Sequence, residues 1–306
     1  MKPLIAIIGP TATGKSSLTI SLAQEFNGEV ISADSRQVYR HMDIGTAKIS
    51  PEQLSIVPHH LIDVVNPDEE FGLSQYKQLV YQFIEDIHKR DKLPLLTGGS
   101  GLYVWTVLEG WNIPEVPPDT ELRRELEERA AGGEVDELYR ELTEIDPAAA
   151  QRIDRRNVRR LIRALEVSKH ADSSFSELQR REAPPFDILI IGLTAERAEL
   201  YRRIDSRVDI MIESGLVEEV EKLMALGHGL DLPAMSGIGY RQIGMFLNGE
   251  ITLEDAVKKI KTETHRLVRR QYNWFSLKDE RIHWFDIEKQ PEPEIESQIA
   301  KFISSG

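Results

Sequence analysis

No cysteine occurs among the 306 residues, which removes disulfides, thiolate nucleophiles and every cysteine-based zinc site. No apolar run approaches the roughly 20 residues needed to cross a bilayer, so no membrane-spanning segment is expected. The opening stretch MKPLIAIIGPT passes at once from a short apolar strand into a Gly-Pro turn. It lacks the apolar core and small-residue cleavage site of a secretion signal, and the expected compartment is the cytoplasm. Positive charge is in deficit: 38 Lys and Arg face 51 Asp and Glu, a formal charge of -13. As a whole-chain average, this argues against a nucleic-acid partner.

The average conceals two basic islands. RIDRRNVRRLIR (152–163) crowds arginines around one aspartate, and KKIKTETHRLVRRQ (258–271) sets lysines and arginines against one glutamate. The acid lies elsewhere, in ELRRELEERAAGGEVDELYRELTE and in DIEKQPEPEIE. Such islands are either solvated helix faces or a surface that steers a polyanion. With 41% hydrophobic and 29% charged residues the chain is globular in composition, and its length suits two compact units. None of the eight histidines forms an H-x-x-x-H pair with a matching acid; His59 and His60 would point to opposite faces of a strand and read as structural.

The first third alternates short apolar strands (LIAII, EVISA, LPLLTGG) with helical sequence (GKSSLTISLAQEF, LSQYKQLVYQFIEDIHKRDK, GLYVWTVLEG). That pattern predicts a parallel sheet covered on both faces, with ligands at the carboxyl ends of its strands. A proline-marked exit, WNIPEVPPD (111–119), opens a charged helical stretch, and a strand returns in DILIIGLTA (187–195). The fold class expected is α/β: a P-loop NTPase-like parallel sheet core with an inserted all-helical domain. Residues 1–115 and 185–306 would form the core, with C-terminal helices, and 116–184 the insertion.

Three strand ends carry chemistry. Residues Gly9, Pro10, Thr11, Ala12, Thr13, Gly14, Lys15 and Ser16 fit G-x-x-x-x-G-K-[ST] between a strand and a helix. There the glycines let backbone N–H groups face phosphate oxygens, Lys15 neutralises the terminal phosphate and the Ser16 hydroxyl is placed for Mg²⁺. Asp34 ends EVISAD, where a carboxylate can hold Mg²⁺, take a proton from an acceptor or cap the following turn. LLTGGSGLY offers a second glycine turn beside Ser100, either for another part of an anion or for close packing. No other strand end carries an acid in Walker-B fashion, which disfavours NTP hydrolysis and leaves group transfer.

Taken together, GPTATGKS, ISADSRQVYRHMDIGTAK, PHHLID, LLTGGSGLY, NVRRLIRALEV, SGIGYRQ and RRQYNWF closely resemble, in order, the tRNA dimethylallyltransferase (tRNA isopentenyltransferase) family. The resemblance spans most of residues 5–275 and implies transfer of a dimethylallyl group from its diphosphate. The acceptor it implies is N6 of the adenosine 3′ of the anticodon, in tRNAs reading codons that begin with U. By the same resemblance Asp34 is the base that N6 needs. Lys15, Ser16 with Mg²⁺, Arg207 and Ser100 attend the leaving diphosphate.

Positions matched to RNA contact are Asp34, Ser35, Arg36, Gln37, Ser100, Arg123, Arg156, Asn157, Arg160, Gly239, Tyr240, Arg241, Arg269, Arg270, Gln271 and Trp274. The insertion is implied to grip the anticodon stem-loop, and the basic islands fall on that face. Three departures stand out: Ser100 for the usual threonine, His265 for an arginine, and Ser276 where a basic residue is frequent. Without cysteine the chain lacks the zinc finger of eukaryotic relatives, so a bacterial type acting as a monomer is expected. The rival readings are a small-molecule or nucleotide kinase using the insertion as a lid, an adenylate isopentenyltransferase acting on free nucleotide, and an RNA-binding module. The kinase leaves the arginine-rich helices and YNWF unexplained; the nucleotide enzyme needs no RNA-gripping surface; the module has no use for Lys15 and Ser16.

Overall fold

A computed structural model of the chain describes residues 2–114, 116, 119–170, 175 and 181–305. Part of the expected proline exit (Glu115, Pro117, Pro118) and residues 171–174 and 176–180 of the expected insertion lie outside them. The chain divides into two compact units, Met1–Leu108 with Pro185–Gly306, and Glu109–Pro184.

The larger unit is the expected parallel α/β fold. Its strands are β1 (Lys2–Ile8), β2 (Gly28–Ser32), β3 (His59–His60), β4 (Leu93–Gly98), β5 (Phe186–Thr194) and β6 (Ile282–Asp286), in spatial order β3-β2-β4-β1-β5-β6. All described pairings are parallel. β1 is central because both its faces are apolar: Leu4, Ile5, Ala6, Ile7 and Ile8 are wholly buried, as a doubly covered strand requires. One face packs Leu18, Ile20 and Leu22 of helix Lys15–Glu25, with Ile295 and Ile299 of helix Glu292–Ser305, against Ile5, Ile7, Leu95 and Ile191. Helix Leu73–Lys89 buries Tyr76, Val80, Ile84 and Ile87, a stripe at helical spacing.

Two elements are absent from the sequence expectation. Strand β6 is short and sits at the sheet edge. The Pro/Glu-rich patch near 290 leads into a helix that places Ile295 and Ile299 one turn apart inside the core. No helix among the described residues is long and apolar enough to cross a membrane.

A second cluster in this unit gathers helices Arg197–Glu213, Leu216–Ala225, Tyr240–Leu247 and Leu253–Trp274 around Leu200, Ile204, Leu216, Val220, Ile243 and Ile260. The smaller unit is helical over its described residues. Leu126, Leu138, Leu142, Leu161 and Leu165 form its core. Asp119 caps helix Thr120–Ala131, and Asp146 caps Pro147–Arg152. Inside it Glu166 is fully buried, and its carboxylate is held by Arg123, Arg163 and the Asp119 backbone N–H. Burial raises the Glu166 carboxyl, but these three partners outweigh it and hold it below the ordinary value.

On β2 Glu29 is 3% exposed yet charged. It accepts from His60, Arg90 and Lys92 at 2.7, 2.7 and 3.0 Å. His60 also stacks on Phe83, and His59 meets the Val57 carbonyl, so both histidines are structural. Burial raises the Glu29 carboxyl, but the hydrogen bonds from Arg90, His60 and Lys92 win and lower it to about 2 from an ordinary 4.5. Because the folded value is depressed, the stabilisation is complete above the ordinary value and is lost as pH falls towards 2; that difference is worth about 3 kcal/mol. Urea unfolding at pH 7 and pH 3 should therefore show Glu29→Gln less stable than the unaltered chain at pH 7, with the gap closing at pH 3.

Candidate active site

The carboxyl ends of β1, β2 and β4 lie side by side, and each releases one of the three motifs. β1 ends in the loop Gly9–Ser16. Gly9 has φ +143°, and a Cβ there would come within 2.4 Å of the Leu193 carbonyl oxygen on β5, so glycine alone fits. Ala12 and Gly14 also have positive φ, which turns the loop's amides inward ahead of the helix that starts at Lys15. The Thr13 hydroxyl and the Lys15 ammonium both donate to the Pro10 carbonyl, at 2.9 and 2.6 Å, so the loop is held from within. Ser16 is exposed on the first turn of that helix.

β2 ends at Asp34. Its Oδ1 accepts the backbone N–H of Arg36 at 2.8 Å and that of Gln37 at 3.4 Å, so the turn cap weighed from the sequence is present. Both donors go to Oδ1, and Oδ2 takes no part in the cap. β4 ends in the turn Gly98–Gly101, where the Ser100 hydroxyl accepts the Ser35 backbone N–H at 3.1 Å. Ser100 thus ties the second glycine turn to the residue after Asp34, and the hydroxyl lost or kept at this position matters more than the methyl.

Two helices close the arrangement. Arg207, on helix Arg197–Glu213, donates to the Thr11 hydroxyl at 3.3 Å. Gln271, on helix Leu253–Trp274, accepts the Thr11 backbone N–H at 2.9 Å and donates to the Gly99 carbonyl at 3.0 Å. Burial and then the Arg207 guanidinium lower the Lys15 ammonium to about 7, while the Asp34 carboxylate pulls it back up. Burial likewise lowers Arg207, and Asp34 opposes the shift. Lys15, Arg207 and Asp34 therefore form one electrostatic group: two cations crowd each other, and a single carboxylate offsets them. Such a group has an unmet demand for negative charge, which a bound anion would supply.

The positions matched to RNA divide into two kinds. Arg241, Arg269, Arg270 and Trp274 are exposed on the larger unit. Arg241 pairs with Glu263, and Arg269 donates to the Tyr201 hydroxyl. His265 stacks on Tyr201 and lies 2.9 Å from the Asp205 carboxylate. Tyr240 and Gln271 depart from the expectation of direct contact. Tyr240 is 1% and Gln271 7% exposed, and both are bonded within the chain, Tyr240 to Glu219 and Gln271 to the two glycine turns. Gly239 is buried too, its N–H taken by Gln242. On the helical unit Arg156, Asn157 and Arg160 are exposed, whereas the Arg123 guanidinium is committed to Glu166. Sequence spacing reveals neither commitment, because each partner is distant along the chain.

The chain matches the model of the family described as IPP transferase over residues 37–278. It is 44% identical to a tRNA dimethylallyltransferase of Dehalococcoides mccartyi, a similarity covering 100% of this chain and 94% of that one. It is 48% identical to a tRNA dimethylallyltransferase of Thermomicrobium roseum, over 94% of this chain and 87% of that one. Among solved structures it resembles the full-length tRNA isopentenylpyrophosphate transferase of Bacillus halodurans, with TM-score 0.74, 41% identity and 100% and 98% of the two chains covered. It also resembles a eukaryotic dimethylallyltransferase acting on tRNA, with TM-score 0.82, 29% identity and 100% and 80% coverage. With the phosphate loop, the strand-end acid and the second glycine turn assembled on one sheet edge, these similarities identify the chain as a member of the IPP transferase family.

Proposed function

We propose that this protein transfers a dimethylallyl group from dimethylallyl diphosphate to N6 of the adenosine 3′ of the anticodon in tRNAs reading codons that begin with U, and releases diphosphate. The observation that carries the reading is the single electrostatic group of Lys15, Arg207 and Asp34, set between two glycine turns. The amides of the Gly9–Ser16 loop, Lys15 and Arg207 take the diphosphate, whose charge grows as the C1–O bond breaks. Adenine N6 is a poor nucleophile because its lone pair is shared with the ring. It attacks C1 as Asp34 accepts its proton through Oδ2, while the Arg36 and Gln37 amides hold Oδ1. Ser100, bonded to Ser35, stands on the acceptor's side of the leaving group.

Mg²⁺ fits this arrangement as a partner of the diphosphate. Ser16 offers an exposed hydroxyl at the helix start, and no group of three or more His, Asp or Glu converges elsewhere among the described residues. Ser16 would hold the ion, which would supply neutralisation of the charge on the leaving group. The target base is unstacked from the anticodon loop to reach Asp34, and the exposed basic and aromatic residues Arg241, Arg269, Arg270 and Trp274 suit single-stranded RNA. The helical unit, with its exposed Arg156, Asn157 and Arg160, takes the anticodon stem-loop. All these groups come from one chain, which supports a monomer, and the tRNA substrate places it in the cytoplasm.

Purified protein given dimethylallyl diphosphate, Mg²⁺ and an unmodified anticodon stem-loop should add one dimethylallyl group to the RNA and none to AMP, as read by mass analysis. Asp34→Ala should lower kcat by about 10²-fold or more; near-complete turnover in that variant removes Asp34 as the base. Since Lys15 sits at about 7 in the free site, it is largely neutral at pH 8, and a bound diphosphate draws it back to the charged form. Calorimetry at pH 8 in buffers of different ionisation enthalpy should show uptake of most of one proton on binding, and Lys15→Met should abolish it.

A further inference from the structure

Glu219, on helix Leu216–Ala225, carries no motif, yet its carboxylate collects four donors. Oε2 accepts the backbone N–H groups of Asp43 and Ile44 at 3.0 and 2.8 Å. Oε1 accepts that of Gly45 at 3.1 Å and the Tyr240 hydroxyl at 2.7 Å. Three successive amides converging on one carboxylate make an anion nest, here filled by the chain's own side chain. Burial and the facing carboxylate push the Tyr240 phenol far above its ordinary value, so it stays a donor. A Cβ on Gly45 would come within 2.5 Å of the Tyr240 ring, so the 43–45 backbone lies directly on that ring.

The two segments joined at Glu219 are the two that Asp34's neighbours hold. The Arg36 guanidinium donates to the carbonyls of Pro233 and Ala234 at 2.7 and 3.1 Å and to the Ser236 hydroxyl at 3.2 Å, at the start of the segment that contains Tyr240. Gln37 Nε2 donates to the carbonyls of Thr46 and Ala47, just beyond the nest. The backbone N–H groups of those same residues, Arg36 and Gln37, hold Asp34 Oδ1. Hydrogen bonds and the short backbone stretches between them therefore form a closed circuit: from Asp34 through Arg36 to 233–236, along the chain to Tyr240, through Glu219 to the nest at 43–45, along the chain to 46–47, and through Gln37 back to Asp34. Thr11, Lys15 and Gln271, which hold the donor side, lie outside it.

Resting on the proposed function, we infer that Glu219 is a positioning residue for the acceptor side of the reaction: it closes the circuit that fixes the Asp34 carboxylate and the 236–241 segment against the target base. It touches no substrate and acts through Tyr240 and the 43–45 amides. The loss therefore falls on the RNA parameters and spares the diphosphate.

The test is steady-state transfer to an unmodified anticodon stem-loop by the full chain and three variants. Glu219→Gln replaces a charged acceptor with an amide whose NH₂ faces donors, and should lower kcat/KM for RNA about tenfold or more. Its KM for dimethylallyl diphosphate should stay within about twofold, since the groups that bind the diphosphate directly (the loop amides, Lys15 and Arg207) are not in the circuit, and Asp34, which is, reaches them only through its charge. Tyr240→Phe removes one bond, keeps the ring under Gly45 and should shift the RNA parameters the same way to a smaller extent; it carries the test alone if Glu219→Gln does not fold. Glu29→Gln, destabilised at the start of β2, the end away from Asp34, should leave both sets of parameters unchanged. Unaltered RNA parameters in Glu219→Gln and Tyr240→Phe, or a rise in the diphosphate KM matching the RNA loss, overturn the inference while transfer by the unaltered chain stands. Absence of transfer by the unaltered chain overturns the proposed function itself, and the inference with it.

Discussion

The Gln271 side chain holds together what the sheet only brings near. One oxygen takes the Thr11 amide and one nitrogen serves the Gly99 carbonyl, across 260 and 172 residues of chain. The phosphate loop and the second glycine turn are thus fixed relative to each other by a group that is almost completely dry. In such surroundings a half-satisfied amide is costly, so the two bonds stand or fall together. A Cβ on Gly99 would come within 2.4 Å of Gln271 Nε2, so the glycine there serves the bridge as much as the turn. Everything on the donor side depends on that fixed spacing: the inward amides, the crowding of Lys15 by Arg207, and the reach of Asp34 between them.

The parts of the site that could be read from the sequence are those whose geometry is local. Gly9, Gly14, Lys15 and Ser16 act through the conformation of their own loop, so spacing alone exposes them. Asp34 is visible because strand ends are where such sheets place chemistry, and the order β2-β4-β1 puts it beside the loop. What spacing cannot reveal is a commitment made through space. Tyr240 and Gln271 look like exposed ends of an RNA-binding stretch until their partners, Glu219 and the two glycine turns, are seen. Arg123 looks like a free cation until Glu166 is found buried beneath it. Strand β6 and the helix Glu292–Ser305 are not legible in the sequence for a different reason: one is short and at an edge, and the other opens among prolines.

Donor and acceptor sides are built by different means. The phosphate-loop side is held by short-range backbone turns and one amide bridge; the other side is held by a long circuit of side chains and backbone that returns to Asp34. Ser100 belongs to both, because its hydroxyl joins the second glycine turn to Ser35. The departure from threonine at that position keeps the shared bond. His265 presents a flat ring that stacks on Tyr201 and meets the Asp205 carboxylate.

Residue Glu182 returns to within hydrogen-bonding distance of Gly110: its N–H donates to the Gly110 carbonyl at 3.1 Å, and Trp111 pairs in antiparallel fashion with Arg181 beside it. The helical unit therefore ties its own entry to its own exit. For the folding chain this shortens the journey between β4 and β5 to that of a modest loop, because the closure entropy of the intervening stretch is met locally before the central strands pair. A stretch clasped in this way can lengthen, shorten or change its surface over evolutionary time without altering the register of β1 against β5. The helical unit is then free to diverge while the strand-end motifs stay in place.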